Sequence, residues 1–206
     1  MTLEAILDDI ASSSPAPGGG SVSALAAAMS ASLVSMVAGL SMGKEKYRDI
    51  EAVMKDAAGE ALSLRKRALA LYKEDIAAFN GVMEAFRLAK GSQEEKAARA
   101  MAIDSALEQA ALVPMELARL SVRLLELSAL AARRGNPNAA SDAGVAALTA
   151  HAALGGAALN VRINAASVKG ETKERLESLL TELAALEERG NGIRDDALAA
   201  CAANIG

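Results

Sequence analysis

Apolar residues recur at helical spacing through most of this chain, and short clusters of serine, proline and glycine interrupt them. Thr2 is placed to cap a first helix that is predicted to end near Ala11. A second helix is predicted from about Ser21 to Ser41, and others at about residues 49–88, 92–134, 138–168 and from 172 onward. Five or six helices, several of them roughly 25 to 40 residues long, are typical of an antiparallel bundle.

The interruptions define the predicted helix ends. Residues 12–20 contain two prolines and three consecutive glycines, which argue against regular structure there. Ser92 and Glu95 have the spacing of a capping box at the start of the fourth helix. Pro114 is predicted to kink that helix, and the sequence Gly190-Asn-Gly192 to weaken the last one.

The composition excludes an all-β fold and disfavours a parallel α/β sheet. Alanine supplies 49 of the 206 residues and leucine 27, and both are strong helix formers, whereas aromatic residues make up only 2%. The length fits one domain, residues 1–206, that is large enough to bury a core. The sequence therefore predicts a single all-α domain.

Charge and metal-ligand content narrow the range of partners. The net charge of −4 argues against a nucleic-acid or anionic-membrane surface, because both require clustered positive charge. One cysteine, Cys201, and one histidine, His151, are too few for a structural zinc site, so we expect no metal cofactor. The N-terminus has no basic region before an apolar run, and we therefore expect a cytoplasmic protein.

The segment Val22–Gly43 contains no charged residue and is long enough to span a bilayer. Its five serines and many small residues make it only modestly hydrophobic, so we expect a buried helix of a soluble protein and no membrane association. One layer of neighbouring helices is not enough to cover such a helix on all sides. The sequence therefore predicts a homodimer with this helix near the interface.

Asp75 occupies a position on the third helix where an apolar residue is expected. It falls in the stripe Ala68, Leu71, Tyr72, Asp75, Phe79, Val82, Met83 and Phe86. A carboxylate in such a stripe is costly unless it is paired. Asp75 is therefore either one half of a structural ion pair or a functional carboxylate in an apolar cleft.

The fifth helix carries two groups of polar residues, one near each end. Asn136, Asn138, Ser141 and Asp142 form the first group, and Asn160 and Asn164 form the second. Asp142 and Asn160 share a helix face but are about 27 Å apart at 1.5 Å per residue. If their role is structural, the first group caps helices and the second makes hydrogen bonds between helices. The alternative is that they bind two ends of a long ligand, or that a two-fold partner brings them together.

The glycine run Gly18, Gly19, Gly20 and Ser21 does not have the spacing of a phosphate-binding loop. It is either a flexible connector or a source of free N–H groups at a helix N-terminus, suited to an anion or a carbonyl oxygen. His151 is expected to be a packed or surface residue, and Cys201 is not expected to be a nucleophile.

Four blocks of this sequence resemble the cyclodeaminase part of the formiminotransferase-cyclodeaminase family, which includes stand-alone methenyltetrahydrofolate cyclohydrolases. The blocks are Pro15-Ala-Pro-Gly-Gly-Gly-Ser21 with the later Gly43-Lys44-x-Lys46-Tyr47, Asp75-Ile-Ala-Ala-Phe79-Asn-Gly-Val-Met83, Gly135-Asn-Pro-Asn138-Ala-Ala-Ser141-Asp142, and Ala158-Leu-Asn160-Val-Arg-Ile-Asn164. They occur in matching order over nearly the whole chain. One departure is Leu88-Ala89-Lys90, where the family usually has Leu-Pro-Lys.

The resemblance implies an all-helical, dimeric folate enzyme that works without metal or nucleotide. Its reactions take place at the carbon that bridges N5 and N10 of tetrahydrofolate, either by hydrolysis of the methenyl group or by loss of ammonia from the formimidoyl group. Both reactions need proton transfer and polar groups that hold the pterin. Because these 206 residues contain no formiminotransferase domain, the hydrolase is slightly favoured.

The resemblance also suggests roles for individual residues. Asp142 and Asp75 are candidate acid–base groups, and Lys44 is a candidate for charge stabilisation at the reacting centre or for binding the glutamate tail. Substrate contacts are expected from Gly18, Gly19, Gly20, Ser21, Lys46, Tyr47, Asn136, Asn138, Ser141, Asn160 and Asn164. The alternative hypothesis is a non-catalytic helical subunit that binds folate or a partner protein.

Overall fold

The computed structural model describes residues 2–166, 168 and 170–205, and within them it contains α and 3₁₀ helices but no strand. The six α-helices are α1 (Leu3–Ala11), α2 (Gly19–Leu40), α3 (Glu51–Arg87), α4 (Gln93–Arg134), α5 (Ala140–Ala166) and α6 (Gly170–Ile205). Short 3₁₀ helices at Glu45–Ile50 and Pro137–Ala139 precede α3 and α5. The all-α prediction is confirmed, whereas the dimer remains a prediction.

Ion pairs between helices show the direction in which each helix runs. Arg67 of α3 pairs with Glu116 of α4, and Glu60 earlier in α3 pairs with Arg123 later in α4, so these two helices are antiparallel. In contrast, Arg119–Glu182 and two further α4–α6 pairs all join residues 63 positions apart, so α4 and α6 are parallel. The bundle therefore alternates in direction along the sequence, as the short connections predict.

Small residues let α2 and α5 approach each other closely. The buried positions of α5 are alanine except for Gly144, Leu154 and Val161, and those of α2 are mostly alanine, serine and glycine. At Gly156 of α5, an added Cβ would overlap the Ser23 hydroxyl of α2. The Ser30 hydroxyl donates a hydrogen bond across the same contact to the Ala146 carbonyl at 2.8 Å.

One face of α2 and one face of α5 remain uncovered in the single chain. Val22, Met29, Met36 and Leu40 of α2 are exposed, and so are Val145, Leu148, Leu159 and Ile163 of α5. The neighbouring helices of one chain thus leave α2 partly uncovered, which is the reason that the sequence predicted a dimer interface there. The segments Gly19–Leu40 and Pro137–Ala166 are long and apolar enough to cross a membrane, and half of the most apolar stretch of each is buried inside the protein.

Several predicted helix ends are correct and others are not. Thr2 caps α1, and Ser92 and Glu95 form the full capping box at the start of α4. However, α2 begins at Gly19 and not Ser21, and α6 continues through Gly190-Asn-Gly192. Gly190 packs so closely on Leu154 and Leu125 that no Cβ would fit, and this packing outweighs the low helix propensity of glycine. The predicted end of the fifth helix at Val168 lies between Ser167 and Lys169, which are outside the described residues.

Candidate active site

A cavity of about 290 Å³, hereafter the reaction cavity, lies between the N-terminus of α2, the second half of α3 and the last turns of α5. Asp75 is the single ionisable side chain among the described residues that line it. The other lining residues are glycines, amides and apolar side chains: Pro15, Ala16, Gly18, Gly19, Gly20, Ala78, Phe79, Val82, Ala110, Asn160, Ile163 and Asn164.

The carboxylate of Asp75 lies against the N-terminus of α2. The fully buried Ser21 hydroxyl donates to its Oδ2 at 2.6 Å, and no salt bridge to Asp75 occurs in the described part of the chain. An added Cβ on Gly20 would overlap the same carboxylate, so glycine is required for this close approach. The positive end of the α2 helix dipole is directed towards this carboxylate. Within the described residues, a serine and a helix N-terminus stand where the structural ion-pair interpretation of Asp75 requires a cation.

Two asparagines of α5 line the cavity, and each uses one amide N–H in a hydrogen bond to a helix carbonyl. Asn160 Nδ2 donates to the Gly156 carbonyl at 2.8 Å, and Asn164 Nδ2 donates to the Ala110 carbonyl of α4 at 2.7 Å. Ala110 is four residues before Pro114, which has no N–H for the normal helical hydrogen bond. The Asn164 amide supplies the donor that Pro114 cannot, and its position is fixed as a result.

These bonds determine what the cavity offers to a ligand. Each asparagine has an Oδ1 acceptor and one further amide N–H, and Asp75 keeps one oxygen that Ser21 does not engage. The first turn of α2 has no side-chain cap and supplies N–H donors at Gly19 and Gly20. The cavity thus combines acceptors for a ligand rich in N–H groups with donors for a carbonyl oxygen, which is the pattern of a pterin edge.

The remaining predicted site residues lie at the opposite end of α2. Tyr47 is buried and donates to Asn136 Oδ1 at 3.0 Å, while the Asn136 backbone N–H donates to the Ser41 hydroxyl at 2.8 Å. The Asn138 backbone N–H also donates to Asn136 Oδ1. The Asn136 side chain therefore joins the end of α2 to the start of α5, as the capping interpretation predicts.

The charged residues of this second group are accessible. Lys44 is exposed and donates to the Leu40 carbonyl at 3.1 Å, and the Lys46 ammonium lies 4.5 Å from the centre of the Tyr47 ring. Asp142 is half-buried and Ser141 is exposed in the first turn of α5. The 22 residues of α2 place this group about 30 Å from Asp75 within one chain. The structure therefore brings Gly18, Gly19, Gly20, Ser21, Asp75, Asn160 and Asn164 together, but not Lys44, Lys46, Tyr47, Asn136, Asn138, Ser141 or Asp142.

Part of the apolar stripe on α3 is not buried in the core, contrary to the sequence prediction. Ala68, Leu71, Tyr72 and Val82 are buried as predicted, but Met83 and Phe86 are exposed and Phe79 lines the reaction cavity. Phe79, Pro15 and Ile163 are cavity residues that sequence reasoning did not assign to the site. Helical periodicity cannot distinguish a core from an apolar cleft, because both select the same residues at the same spacing.

The side chains of Cys201 and His151 both lie within hydrogen-bonding distance of other protein groups. The Cys201 thiol is buried and donates to the Ala140 carbonyl at 3.1 Å. His151 Nε2 lies 2.8 Å from Asn191 Oδ1 and 3.1 Å from a guanidinium nitrogen of Arg194. No group of three or more potential metal-binding side chains converges within the described ranges.

Known proteins match this chain over nearly its whole length. A family model described as formiminotransferase-cyclodeaminase matches residues 2–185. The methenyltetrahydrofolate cyclohydrolase of Methylorubrum extorquens is 44% identical over 193 residues, which cover 91% of this chain and 93% of the relative. The formimidoyltransferase-cyclodeaminase of Mus musculus is 33% identical over 186 residues, and this chain spans about a third of that longer protein.

A solved structure matches the fold over its full extent. The formiminotetrahydrofolate cyclodeaminase from Thermotoga maritima superimposes with a TM-score of 0.87 at 29% identity, and the match covers 100% of this chain and 98% of that one. The sequence and structural matches therefore agree with the four blocks noted above. The chain belongs to the formiminotransferase-cyclodeaminase family.

Proposed function

We propose that this protein is a folate one-carbon enzyme that hydrolyses 5,10-methenyltetrahydrofolate to 10-formyltetrahydrofolate. The observation that carries the proposal is the Asp75 carboxylate, held by Ser21 at a helix N-terminus in a cavity that is also lined by two asparagines. Support for hydrolysis comes from the 44% identical cyclohydrolase, which this chain matches over 93% of its length.

The charge of the substrate complements the site. The methenyl group is a cation shared between N5 and N10, and Asp75 is the single ionisable group that lines the described cavity. An anion at this position attracts the cationic substrate and accepts a proton as water attacks the bridging carbon. Asp75 can then return that proton to N5 as the N5–carbon bond opens. The second proton of the water leaves as the formyl carbonyl forms.

The polar walls would hold the pterin ring in one orientation. Asn160 and Asn164 accept from its N–H and amino groups, and the N–H groups of Gly19 and Gly20 donate to its carbonyl oxygen. Apolar contacts with Val82 and Ile163 exclude water from the faces of the ring. These contacts hold the bridging carbon near Asp75. This positioning is the main contribution of the site to the reaction.

The second candidate reaction is formimidoyltetrahydrofolate cyclodeamination. It is favoured by the close structural match to the Thermotoga maritima cyclodeaminase. In this reaction N10 attacks the formimidoyl carbon, and ammonia leaves from the tetrahedral adduct. Asp75 would then supply the proton to the departing nitrogen, so the same carboxylate serves either reaction.

We also propose that the working unit is a homodimer whose interface uses the exposed faces of α2 and α5. Met29 and Met36 of α2 and Leu148 and Leu159 of α5 are exposed, and leaving such large apolar side chains in water is unfavourable. A two-fold axis near α5 would bring the Lys44 and Asp142 end of one chain towards Asp75 of the other. Lys44 and Asp142 would then keep the catalytic roles suggested by the sequence.

An absorbance assay tests the proposal and separates the alternatives. Methenyltetrahydrofolate absorbs in the near ultraviolet, so its loss reports hydrolysis and its appearance from the formimidoyl substrate reports deamination. Turnover of neither substrate would support the non-catalytic alternative. We propose in addition a cytoplasmic enzyme that needs no metal, and we therefore expect the rate to survive dialysis against a chelator.

A further inference from the structure

A second cavity of about 440 Å³, hereafter the outer cavity, adjoins the reaction cavity. Pro15, Ala16 and Phe79 line both cavities, so the two meet at these residues. The walls of the outer cavity are more polar and include Asn80 and Arg87 of α3. A ligand that fills the reaction cavity can therefore extend past Phe79 into the more polar outer cavity.

Arg87 is the cation of the outer cavity and makes no ion pair. Most arginines in the described chain form ion pairs with carboxylates of other helices, as Arg119 does with Glu182 and Arg123 with Glu60. Within that same part of the chain, no carboxylate lies within ion-pair distance of Arg87. A guanidinium that lines a cavity without a protein partner is available to an anionic ligand.

The spacing along α3 places Arg87 at a suitable distance from the proposed reaction centre. Phe79 follows Asp75 by one helical turn, and Arg87 follows Asp75 by about 18 Å along the axis. Side chains on a helix lean towards its N-terminus, and Arg87 lines the same outer cavity as Phe79. Asp75, Phe79 and Arg87 thus succeed one another in the order in which a folate presents its one-carbon group, its aminobenzoyl ring and its carboxylates.

We propose that the outer cavity binds the glutamate carboxylates of the folate, with Arg87 as the main anion-binding residue. This inference rests on the proposed function. The Asn80 side chain can add an amide donor, and Phe79 can pack against the aminobenzoyl ring. Lys44, which the sequence suggested for this role, is at the far end of α2 in the same chain.

Glu84 adds a negative charge to the cavity that contains the positive charge of Arg87. Its carboxylate also lines the outer cavity, one turn before Arg87, and opposes the binding of an anion. Removing the positive charge and removing the negative charge should therefore change the affinity for a carboxylate ligand in opposite directions. A merely structural role for Arg87 would not produce this pair of effects.

The test is calorimetric binding of 5-formyltetrahydrofolate and of the methyl ester of 5-formyltetrahydropteroate, which lacks the glutamate and carries no carboxylate. Arg87→Met should weaken binding of the folate about tenfold and leave binding of the pteroate unchanged, because one charge-assisted contact is lost. Glu84→Gln should tighten binding of the folate alone. The matched control is Lys55→Met, which removes an exposed positive charge elsewhere on α3 and should change neither affinity.

The outcomes distinguish this inference from the proposed function. Wild-type protein that binds both ligands equally, or a folate-specific loss in Lys44→Met but not in Arg87→Met, would overturn the outer cavity as the glutamate site. Either result leaves methenyltetrahydrofolate hydrolysis intact in the absorbance assay. Binding without turnover would overturn the proposed function and retain the outer cavity as a folate site.

Discussion

Asn164 of α5 donates to the one carbonyl of α4 that Pro114 leaves without its helical partner, at 2.7 Å from Nδ2 to the Ala110 oxygen. The proline, which would normally be regarded only as a helix-breaking residue, thereby orients a side chain of the reaction cavity. Its role is indirect, because Pro114 itself is buried and does not line that cavity.

Pro114→Ala should therefore stabilise the protein but weaken substrate binding. The alanine restores an N–H that competes with Asn164 for the Ala110 carbonyl, and alanine is the better residue inside a helix. We expect a higher melting temperature and a KM raised about fivefold, which corresponds to one ordinary hydrogen bond. In the Asn164→Ala background the same change should have no further effect on the calorimetric affinity for 5-formyltetrahydrofolate, because the two residues act through one contact.

Gly20→Ala should impair catalysis with little loss of stability. The added methyl group would displace the Asp75 carboxylate, while alanine favours the helical backbone of α2. We expect kcat to fall by about tenfold or more and the melting temperature to stay within a few degrees. Gly39→Ala is the matched control on the same helix, because its Cβ would meet no atom within 4 Å. An equal loss of rate in both variants would contradict the steric explanation.

Asp75→Asn should retain the fold and lose at least about 100-fold in turnover, the usual contribution of one acid–base group. The amide can still accept from the Ser21 hydroxyl, so the local structure has a replacement partner. Circular dichroism and the absorbance assay would measure the two effects separately. A variant that melts several degrees lower and keeps its rate would show that Asp75 has a structural role only.

Mixing two inactive variants should restore activity if the site is shared between subunits. Asp142→Ala and Asn164→Ala alter opposite ends of α5, which are too far apart to serve one reacting carbon within a chain. A heterodimer would then contain one site with both defects and one with neither, so up to about half of its sites should work. Sedimentation must show a species of twice 21.0 kDa. Subunit exchange without recovered activity would place each site within a single chain.

Stability should decrease in acid as the glutamates of the interhelical ion pairs are protonated. Hydrogen bonds from Arg123 and Arg67 hold the pKa values of Glu60 and Glu116 below the usual value of 4.5. A carboxyl whose pKa is lower in the folded state stabilises the protein above its unfolded pKa, and this contribution is lost as the pH falls through the folded pKa. We expect the melting temperature to fall below about pH 4.5. Arg123→Met should reduce this dependence, and an unchanged acid profile would contradict it.

The sequence was sufficient to predict the fold because the local signals agreed with one another. Alanine-rich periodicity, the cap at Thr2 and the capping box at Ser92 all predicted helices that the structure contains. The error at Gly190 arose where packing against Leu154 stabilises a helix that the local sequence disfavours. Helix propensity describes a residue in isolation and cannot include such a contact.

The candidate site was only partly predictable for a related reason. Asp75 was recognisable as a carboxylate on an apolar stripe, whereas its partner Ser21 lies 54 residues away and only the tertiary fold brings the two together. Lys44 and Asp142 are grouped with Asp75 in the sequence only because each of the three lies in a block that resembles the family. The length of α2 separates them within one chain, and a sequence does not show which residues of a second copy would adjoin them.

The alanine-rich contact between α2 and α5 has a consequence for how precisely these helices are aligned along their axes. A surface of alanines has few protrusions, so sliding one helix along the other changes its packing energy little. The Ser30 hydrogen bond and the close fit of Gly156 against Ser23 are therefore needed to fix the axial position. A slip of one turn would move Asn160 by about 5.4 Å relative to Gly19 and disassemble the reaction cavity while leaving every helix intact.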